Sequence, residues 1–356
     1  MSTIAVNAIT DANAGNTTSI NGVTPNTSNV IGKNILINGA MQIAQRGTSV
    51  TGITSGSNYA CDRWRLMMAS AGTWTLTQDT DSPDGFGNSM KLDCTTANAS
   101  PGATTYIQIQ HRIEGQFLQQ LAKGTSSAKK VTVSFWIKCS KTGNIQVNLK
   151  DKDNTRLIGQ TVTINAANTL EKKSLTFDGD TTGTLDNDNT EGMALQFFVE
   201  AGSNFTGGAV PTSWEAEGST DRAAGVTLAL ADSTSNTLNL TGVQLEVGDA
   251  ATEFEHRPYT TELQLCQRYY WRQFFSGSNV IYNRVYWNGS GNNAIFDFPA
   301  PPGMRINAAT VTCPPTTNGT SVAFTYHPHG NIIVDRASAS GDNYFYSQDL
   351  AISAEL

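Results

Sequence analysis

The stretch TGVQLEVGDAATEFEHRPYTTELQLCQRYYW, residues 241–271, decides the fold. Its first part alternates apolar and polar residues over 243–247, which is the period of a half-buried strand. A Gly248–Asp249 turn follows, and after a short extended piece Pro258 precedes a predicted helix. The segment therefore predicts a strand that ends in a turn and leads into a short amphipathic helix.

The predicted helix carries an apolar stripe. Leu263, Cys266 and Tyr270 fall on one of its faces. Such a stripe favours contact between the helices of neighbouring copies, so we expect these three residues to form part of an oligomer contact. The alternative is that the stripe packs on the sandwich of its own chain.

The chain upstream of this segment has a period of two over most of residues 59–247. The apolar–polar stretches are separated by turn-rich linkers such as Ser82–Gly85. One short helix is predicted over Ile113–Lys123, with Phe117 and Leu121 among its inward residues. Strands and helices do not alternate, and no internal repeat is evident. These patterns predict an all-β protein built on an antiparallel β-sandwich.

The composition fits the same architecture. Of 356 residues, 38% are hydrophobic, 15% are charged and 32 are glycine, a balance typical of short strands joined by tight turns. The formal net charge of −7 argues against a nucleic-acid partner, because phosphate contacts need basic patches. No apolar run suggests membrane insertion. The five cysteines lack CxxC spacing, which predicts reduced thiols in a protein made in a cytosol.

The two ends of the chain differ from its middle. Residues 1–34 are polar, and their few apolar side chains, among them Ile4, Val6 and Ile9, cannot form a core of their own. This composition favours an extended arm that becomes ordered on another protein, or alternatively a frayed terminus. Residues 276–356 contain further short strands and a proline-rich loop, which predict a small β-rich domain.

Several segments resemble the tail-fibre and virion-surface proteins of tailed bacteriophages. In that family a sandwich ends in GVQLEVG, passes through FE.RPY and continues into E…CQRYY, the order found over residues 241–271. Residues 34–47, NILINGAMQIAQRG, resemble the segment that begins such fibre domains, and residues 298–305 and 353–356 resemble their FP.PMR…AEL ending. The SFWIK strand at 134–138 is similar to a central strand in the jelly roll of carbohydrate-binding modules.

The resemblance implies a domain order. Residues 1–34 would be a virion-docking arm that contacts the particle through Ile4, Val6 and Ile9, an assignment supported by similar openings in structural proteins of marine phages. Residues 35–253 would form a jelly roll like that of carbohydrate-binding modules. Residues 254–275 would be a helical junction, and residues 276–356 a β-rich tip.

The resemblance also implies a function. We expect a homotrimeric virion structural protein, made in the bacterial cytoplasm, that attaches to a tail adaptor, nozzle or capsid protein and contacts a host surface glycan through its C-terminal region. Two other possibilities remain open. One is a capsid-decorating head fibre or cement protein, and the other is a glycan hydrolase.

Aromatic residues gather in the predicted tip. Tyrosine and tryptophan stack on sugar faces while their polar atoms bond hydroxyl groups, which makes such residues candidates for glycan contact. Those beside the Gly289–Gly291 turn and in the last strand are the candidates, although a small β-domain also needs aromatic residues for its core. The candidate glycan contacts are Tyr286, Trp287, Asn288, Tyr344 and Tyr346.

Evidence for catalysis or metal binding is sparse in the sequence. None of the nucleophile-elbow, zinc-protease, P-loop or Rossmann patterns is present, so we expect no enzyme and no cofactor. His327 and His329 lie two residues apart, and in a threefold fibre they would suit a metal on the axis. The alternative is a polar loop with two exposed histidines, and Pro328 favours the loop. Clustered aspartates, such as Asp151 and Asp153, suit either Ca²⁺ ligation or simple turns.

Overall fold

The structure is a computed structural model. It describes residues 32–274 and 349–356, and between them only the stretches 281–287, 294–299, 304, 310–312, 316–317, 322–327, 331–336 and 341–347. Side chains are described for residues 32–272, 304 and 351–356. Ile4, Val6 and Ile9 of the predicted arm therefore lie outside the described residues.

Eleven strands form the body of the protein. They are β1 Ser49–Asn58, β2 Arg65–Asp79, β3 Ser89–Thr96, β4 Tyr106–Glu114, β5 Val131–Cys139, β6 Gly143–Asp151, β7 Arg156–Ile164, β8 Glu171–Phe177, β9 Glu191–Ala201, β10 Glu215–Ala216 and β11 Thr237–Val247. The helices are α1 Ser203–Thr206 and α2 Tyr259–Gln267, with 3-10 turns at Gly115–Phe117, Gln119–Leu121, Ser219–Asp221 and Leu230–Asp232.

The strands pair antiparallel in the order β10-β7-β6-β9-β4-β2-β3-β11-β5-β8, and β1 also pairs with β2. The long strand β2 belongs to both halves of this ladder. Its first residues, Arg65–Ala69, pair with β4, and its later residues, Thr73–Asp79, pair with β3. Between them Ser70 and Gly72 have positive φ angles of 53° and 82°, which bend the strand. The hairpin β1–β2 thus joins layer A (β10, β7, β6, β9, β4) to layer B (β3, β11, β5, β8), and the predicted jelly-roll β-sandwich is confirmed.

The two layers meet over one hydrophobic core. Phe135 of β5 and Phe197 of β9 meet edge to face with ring centroids 5.1 Å apart, and both are at most 1% exposed. Trp64, Trp74 and Phe177 are fully buried in the same cluster. Aromatic side chains of this size bury the largest apolar areas available to a core, and truncating one of them typically costs about 3–5 kcal/mol of stability.

Two local predictions were wrong. The helix expected over Ile113–Lys123 is absent, because Ile113 and Glu114 pair with β9 and the chain then forms two 3-10 turns that leave Phe117 exposed. Sheet pairing overrides the local helical pattern here. Helix α2 also ends earlier than expected, because residues from Tyr270 onward form a strand.

The C-terminal region is β-rich, as the sequence predicts. Its strands are β12 Tyr270–Phe274, β13 Ile281–Trp287, β14 Ala294–Pro299, β15 Thr310–Thr312, β16 Thr316–Thr317, β17 Val322–His327, β18 Asn331–Arg336, β19 Gly341–Ser347 and β20 Asp349–Ser353. They form three small sheets, β12-β20-β15, β13-β19-β16 and β14-β18-β17. Strands β12 and β20 pair directly, so the chain leaves the sandwich and returns to it along one antiparallel pair. None of the described helices is long and apolar enough to span a membrane.

Candidate functional site

The outer face of layer A carries a row of polar side chains across four strands. Arg65 of β2 pairs with Gln110 of β4, Gln110 pairs with Gln196 of β9, and Gln196 pairs with Asn148 of β6. Directly opposed residues of an antiparallel sheet place their side chains on the same face. The alternate residues of β4, such as Ile109, point into the core.

A groove of about 300 Å³ lies over this row. Its aromatic residues are Tyr106, Phe205 and the buried Phe198. The rings of Tyr106 and Phe205 meet edge to face with centroids 5.4 Å apart, and both side chains are only half-buried. Amide and guanidinium groups beside partly exposed rings are the combination that saccharide hydroxyls and sugar faces require.

The groove is basic although the chain is acidic. The residues that line it include five cations, Arg65, Arg112, Lys150, Lys152 and Arg222, and two carboxylates, Glu191 and Glu217. Arg112 Nε lies 3.2 Å from Glu191, and Glu217 Oε1 lies 2.8 Å from Lys150 Nζ and 2.7 Å from Arg222 Nε. Burial lowers the pKa of Arg112, an effect that Glu191 opposes and the neighbouring Arg65 reinforces. Both carboxylates of the groove are thus already engaged by cations.

Two buried groups of the groove lack partners within the described part of the chain. Arg65 is 9% exposed and Gln196 is 5% exposed. The Nε of Arg65 and the Oε1 of Gln196 are buried and form no hydrogen bond. The guanidinium of Arg65 instead approaches the sulfur of Met67, a weak acceptor. Buried polar atoms are nearly always paired in folded proteins, so these two atoms indicate a place for a ligand or water.

A second, smaller pocket of about 230 Å³ lies on the outer face of layer B. The rings of Phe86, Phe254 and His256 surround it with centroid separations of 4.9–5.1 Å, and Trp136 lines it beside Gly242. A side chain at Gly242 (φ +60°) would meet Phe86 and Trp136 at 2.9 and 3.0 Å. These rings pack on one another and on a glycine that the backbone requires, which favours a structural role for the cluster.

The segments that carry the family resemblance converge in a polar cluster at the base of the sandwich, here called the junction. Asn34 donates to the carbonyl of Val243 and accepts from the amide of Leu245, which ties residues 34–47 to β11. The amide of Asn38 donates to Glu262 of α2. Gly39 packs so closely on Val243 that a Cβ would lie 2.1 Å from its carbonyl oxygen, which excludes any other residue there. The junction is the structural basis of the motif.

Arginine and tyrosine side chains extend the junction toward the C-terminus. The guanidinium of Arg63 lies 3.5 Å from the ring centre of Tyr269, and that of Arg46 lies 3.6 Å from the ring centre of Tyr270. Both arginines also pair with Glu355. The motif CQRYY and the C-terminal AEL therefore close on residues of the sandwich by cation–π contacts and ion pairs.

Burial and hydrogen bonding shift the pKa values of the junction carboxyls in opposite directions. Burial raises the pKa of Asp62 to about 6, although Arg46 and Gln45 favour its ionised form. Burial likewise raises the pKa of Glu262. Burial would also raise the pKa of Glu114, but hydrogen bonds from Arg268 and Tyr269 outweigh it and hold this pKa below its usual value. The Arg268–Glu114 pair is bidentate, with both N–O distances 2.8 Å.

The helix stripe packs on its own chain. Cys266 is fully buried and Tyr270 is 8% exposed, and Cys266 and Leu263 pack with Ile37 and Ile43. These contacts correspond to the alternative in which the stripe packs on its own chain and not on a neighbouring copy. Of the three residues, Leu263 is the half-buried one and retains surface for a contact with a second copy. A trimer contact through this helix stays a prediction.

Of the five candidate glycan contacts in the tip, four lie on strands whose backbone the structure describes. Tyr286 and Trp287 are on β13, Tyr344 and Tyr346 are on β19, and these strands pair with Trp287 opposite Gly341. Their side chains, and the whole of Asn288, lie outside the described residues. Whether the tip contacts a glycan stays a prediction.

The described residues give no positive evidence that the candidate histidines or the clustered aspartates bind a metal ion. His327 ends β17, and His329 lies outside the described residues. Across the described ranges, no three His, Cys, Asp or Glu residues are grouped to hold a metal ion. Asp151 and Asp180, from the acidic loops, instead bind Lys123 at 2.5 and 3.1 Å, and Asp180 also binds Arg156 at 2.7 Å. Protein cations occupy these carboxylates.

The sequence matches no protein-family model and no curated protein. Solved structures with a similar fold include the enzymatically active domain of bacteriophage CBA120 tailspike protein 4, with a TM-score of 0.33, 13% identity, and coverage of 61% of this chain and 22% of that one. They also include a family 4 carbohydrate-binding module (TM-score 0.31, 14% identity, 60% of this chain, 99% of that one). A family 11 module from Clostridium thermocellum with a β-1,3-1,4-mixed-linked tetrasaccharide is similar too (TM-score 0.28, 13% identity, 59% and 99%). Similarities of this extent do not establish a shared function.

Proposed function

We propose that this protein binds a glycan in the groove on the outer face of layer A. The observation that carries the proposal is that two buried atoms, Arg65 Nε and Gln196 Oε1, have no partner in the described part of the chain and lie beneath a groove of about 300 Å³. A saccharide brings hydroxyl groups that donate to one atom and accept from the other. The half-buried rings of Tyr106 and Phe205 supply a surface for the apolar face of a sugar.

The test compares the two outer faces of the sandwich. Phe205→Ala should weaken binding to surface polysaccharide of susceptible bacteria by about 5- to 150-fold, since an aromatic contact commonly contributes about 1–3 kcal/mol. Trp136→Ala is the matched control, because Trp136 lies by the pocket of layer B. Circular dichroism on both variants checks that the sandwich remains folded. Undiminished binding by Phe205→Ala together with loss in Trp136→Ala would move the site to layer B.

The biological setting that we propose is a phage virion. Residues 1–34 would attach the protein to a tail or capsid protein, and the sandwich and tip would face the host. Deletion of residues 1–33 should leave the sandwich folded and abolish incorporation into particles. Labelled antibodies on intact virions then separate a tail fibre from a head fibre or cement protein. Light scattering of the purified protein tests the proposed trimer, which a stable monomer at micromolar concentration would exclude.

The tip is a second place where the protein would meet its receptor. Trp287→Ala should weaken adsorption without changing the melting temperature if Trp287 contacts a glycan. A core tryptophan would behave differently, since its truncation costs about 3–5 kcal/mol of stability. Normal adsorption by a stable Trp287→Ala variant would leave the groove of layer A as the receptor site.

A hydrolase is the second candidate function, and one observation favours it. Glu191 and Glu217 both line the groove, and glycosidases commonly use two carboxyl groups beside the scissile bond. Each of these carboxylates is held by an arginine or a lysine in this structure. Release of reducing ends from host polysaccharide, lost in Glu191→Gln and Glu217→Gln, would establish hydrolysis. Binding without release supports our proposal of a non-catalytic protein.

A further inference from the structure

The groove is unusual for its charge as well as for its position. Its lining residues carry five positive and two negative side chains, whereas the whole chain has a net charge of −7. A concave basic surface concentrates anions even on an acidic protein, because the cleft focuses the field of its positive charges. A neutral glycan gains nothing from such a charge distribution.

The pairing of these side chains leaves two cations for a ligand. Glu191 engages Arg112, and Glu217 engages Lys150 and Arg222. Within the described residues, no ion pair is found for Arg65 or Lys152. Lys152 is exposed at the rim, while Arg65 is nine-tenths buried at the floor.

Arg65 has the geometry of an anion receptor. A guanidinium presents a planar fork of N–H donors that matches the two oxygens of a carboxylate or sulfate. Its Nε is buried and has no hydrogen-bond partner among the residues described, and the opposed residue across the ladder is Gln110, followed by Gln196. An amide on either strand can bond the remaining oxygen or an adjacent sugar hydroxyl.

We propose that the groove is specific for an acidic saccharide, whose carboxylate or sulfate group pairs with Arg65 and is approached by Lys152 at the rim. This inference rests on the proposed function, since it names the class of glycan. A carboxylate and a sulfate share the required chemistry, and the two arms of the experiment distinguish them.

The experiment measures affinity for two matched pairs of polysaccharides by calorimetry. The first pair is polygalacturonate and its carboxyl-reduced form, and the second is a sulfated galactan and its desulfated form. The wild-type protein should bind the acidic member of at least one pair about tenfold or more tightly than the neutral member, and the preference should shrink as salt is raised. The pair that shows this preference identifies the acidic group.

Three variants assign the effect to named residues. Arg65→Gln should remove the preference for the acidic member, while Lys152→Gln should weaken acidic binding a few-fold without any effect on folding, because Lys152 is exposed. Lys130→Gln is the matched control: it makes the same charge change at an exposed lysine that borders layer B and pairs with Asp178. Thermal melts of all three confirm that the sandwich is intact.

The possible results distinguish a failure of the acidic specificity from a failure of glycan binding itself. Equal affinity for both members of each pair, or a preference that survives in both Arg65→Gln and Lys152→Gln, would overturn the acidic specificity and leave glycan binding in place. A loss in Lys130→Gln as large as in Lys152→Gln would show a general charge effect and overturn it as well. Binding to no polysaccharide would remove the proposed function and this inference together.

Discussion

The junction and the groove are built from the same kinds of residue, and they differ in how the side chains at their centres are hydrogen-bonded. In the junction Asn38 alone forms three side-chain hydrogen bonds, to the backbone of Ile43 and Asp62. In the groove Gln196 leaves its oxygen unbonded. The junction also has buried atoms without a hydrogen bond among the described residues, Arg63 Nε and His111 Nδ1, so the contrast applies to its central asparagines and to the floor of the groove. The motif over residues 241–271, which supplies β11 and α2 to the junction, is therefore structural.

The largest expected effect is in the junction. Asn38→Ala removes three buried hydrogen bonds at a residue with φ 58°, and we expect a loss of about 3–4 kcal/mol in the free energy of unfolding. Urea denaturation measures this loss. Asn38→Gly is the matched control, since it accepts the positive φ and loses the same bonds, and it should lose about 3 kcal/mol. Full stability in the glycine variant would show that backbone strain, and not the network, explains the effect.

Gln110 in the groove provides a direct contrast with Asn38 in the junction. Like Asn38, which is 1% exposed, it is buried, at 4% exposed, but its one described side-chain bond is a long contact of 3.4 Å from Arg112. Gln110→Ala should therefore cost less than about 1 kcal/mol on the same urea assay. A loss equal to that of Asn38→Ala would mean that the groove is a structural network as well.

The second effect concerns the pH dependence of stability. The folded pKa of Asp62 is about 6, above the ordinary value of 3.8 that applies in the unfolded chain. The folded state therefore binds the proton more tightly, so the stabilisation is fully present below the unfolded pKa and is lost as pH rises through about 6. We expect the free energy of unfolding to fall by about 2–3 kcal/mol between pH 4 and pH 7 from this group.

Asp62→Asn provides the control for this pH profile. The variant cannot ionise at that position, so its stability should change less between pH 4 and pH 7 than that of the wild type. Glu262, whose pKa burial also raises, contributes in the same direction and remains in the variant. Identical profiles for the two proteins would show that Asp62 does not titrate in this range.

The smallest effect on stability is expected in the groove, where a substitution should raise stability or leave it unchanged rather than lower it. Arg65→Met replaces a buried cation without a described carboxylate partner by an apolar side chain of similar length, which should leave stability unchanged or raise it by up to about 1 kcal/mol. The melting temperature measures it, and the same variant should lose binding to acidic polysaccharide. A marked fall in melting temperature would place Arg65 among the residues that hold the fold together.

Much of the body was predictable from the sequence because its signals are local. The period of two predicted over most of residues 59–247 corresponds, for example, to strand β4, Tyr106–Glu114. Its alternation of Ile107 and Ile109 with polar residues is visible in the chain itself. The prediction of a helix over Ile113–Lys123 was wrong because the start of that segment pairs with β9. This pairing joins residues far apart in the chain, so no local sequence pattern indicates it.

The groove could not be located from the sequence. Tyr106, Gln108, Gln110 and Arg112 form a polar face on β4 that the alternation shows, and this was the available signal. The neighbours of that face, Arg65 on β2 and Gln196 on β9, come from distant parts of the chain. Sequence periodicity gives the face of a strand but not the identity of its partners.

By itself the sequence determined that this is an all-β sandwich followed by a helix and a β-rich C-terminal region, since alternation, turn residues and composition act over a few neighbouring positions. Only the tertiary structure decided which polar groups are satisfied. It joins Asn34 and Asn38 to β11 and α2 by hydrogen bonds, and it places Arg65 beside Gln110 and Gln196, with two buried atoms that have no hydrogen bond within the described part of the chain. Hydrogen-bond satisfaction depends on distances between residues far apart in the chain, which is why a ligand site of this kind becomes visible only in the folded protein.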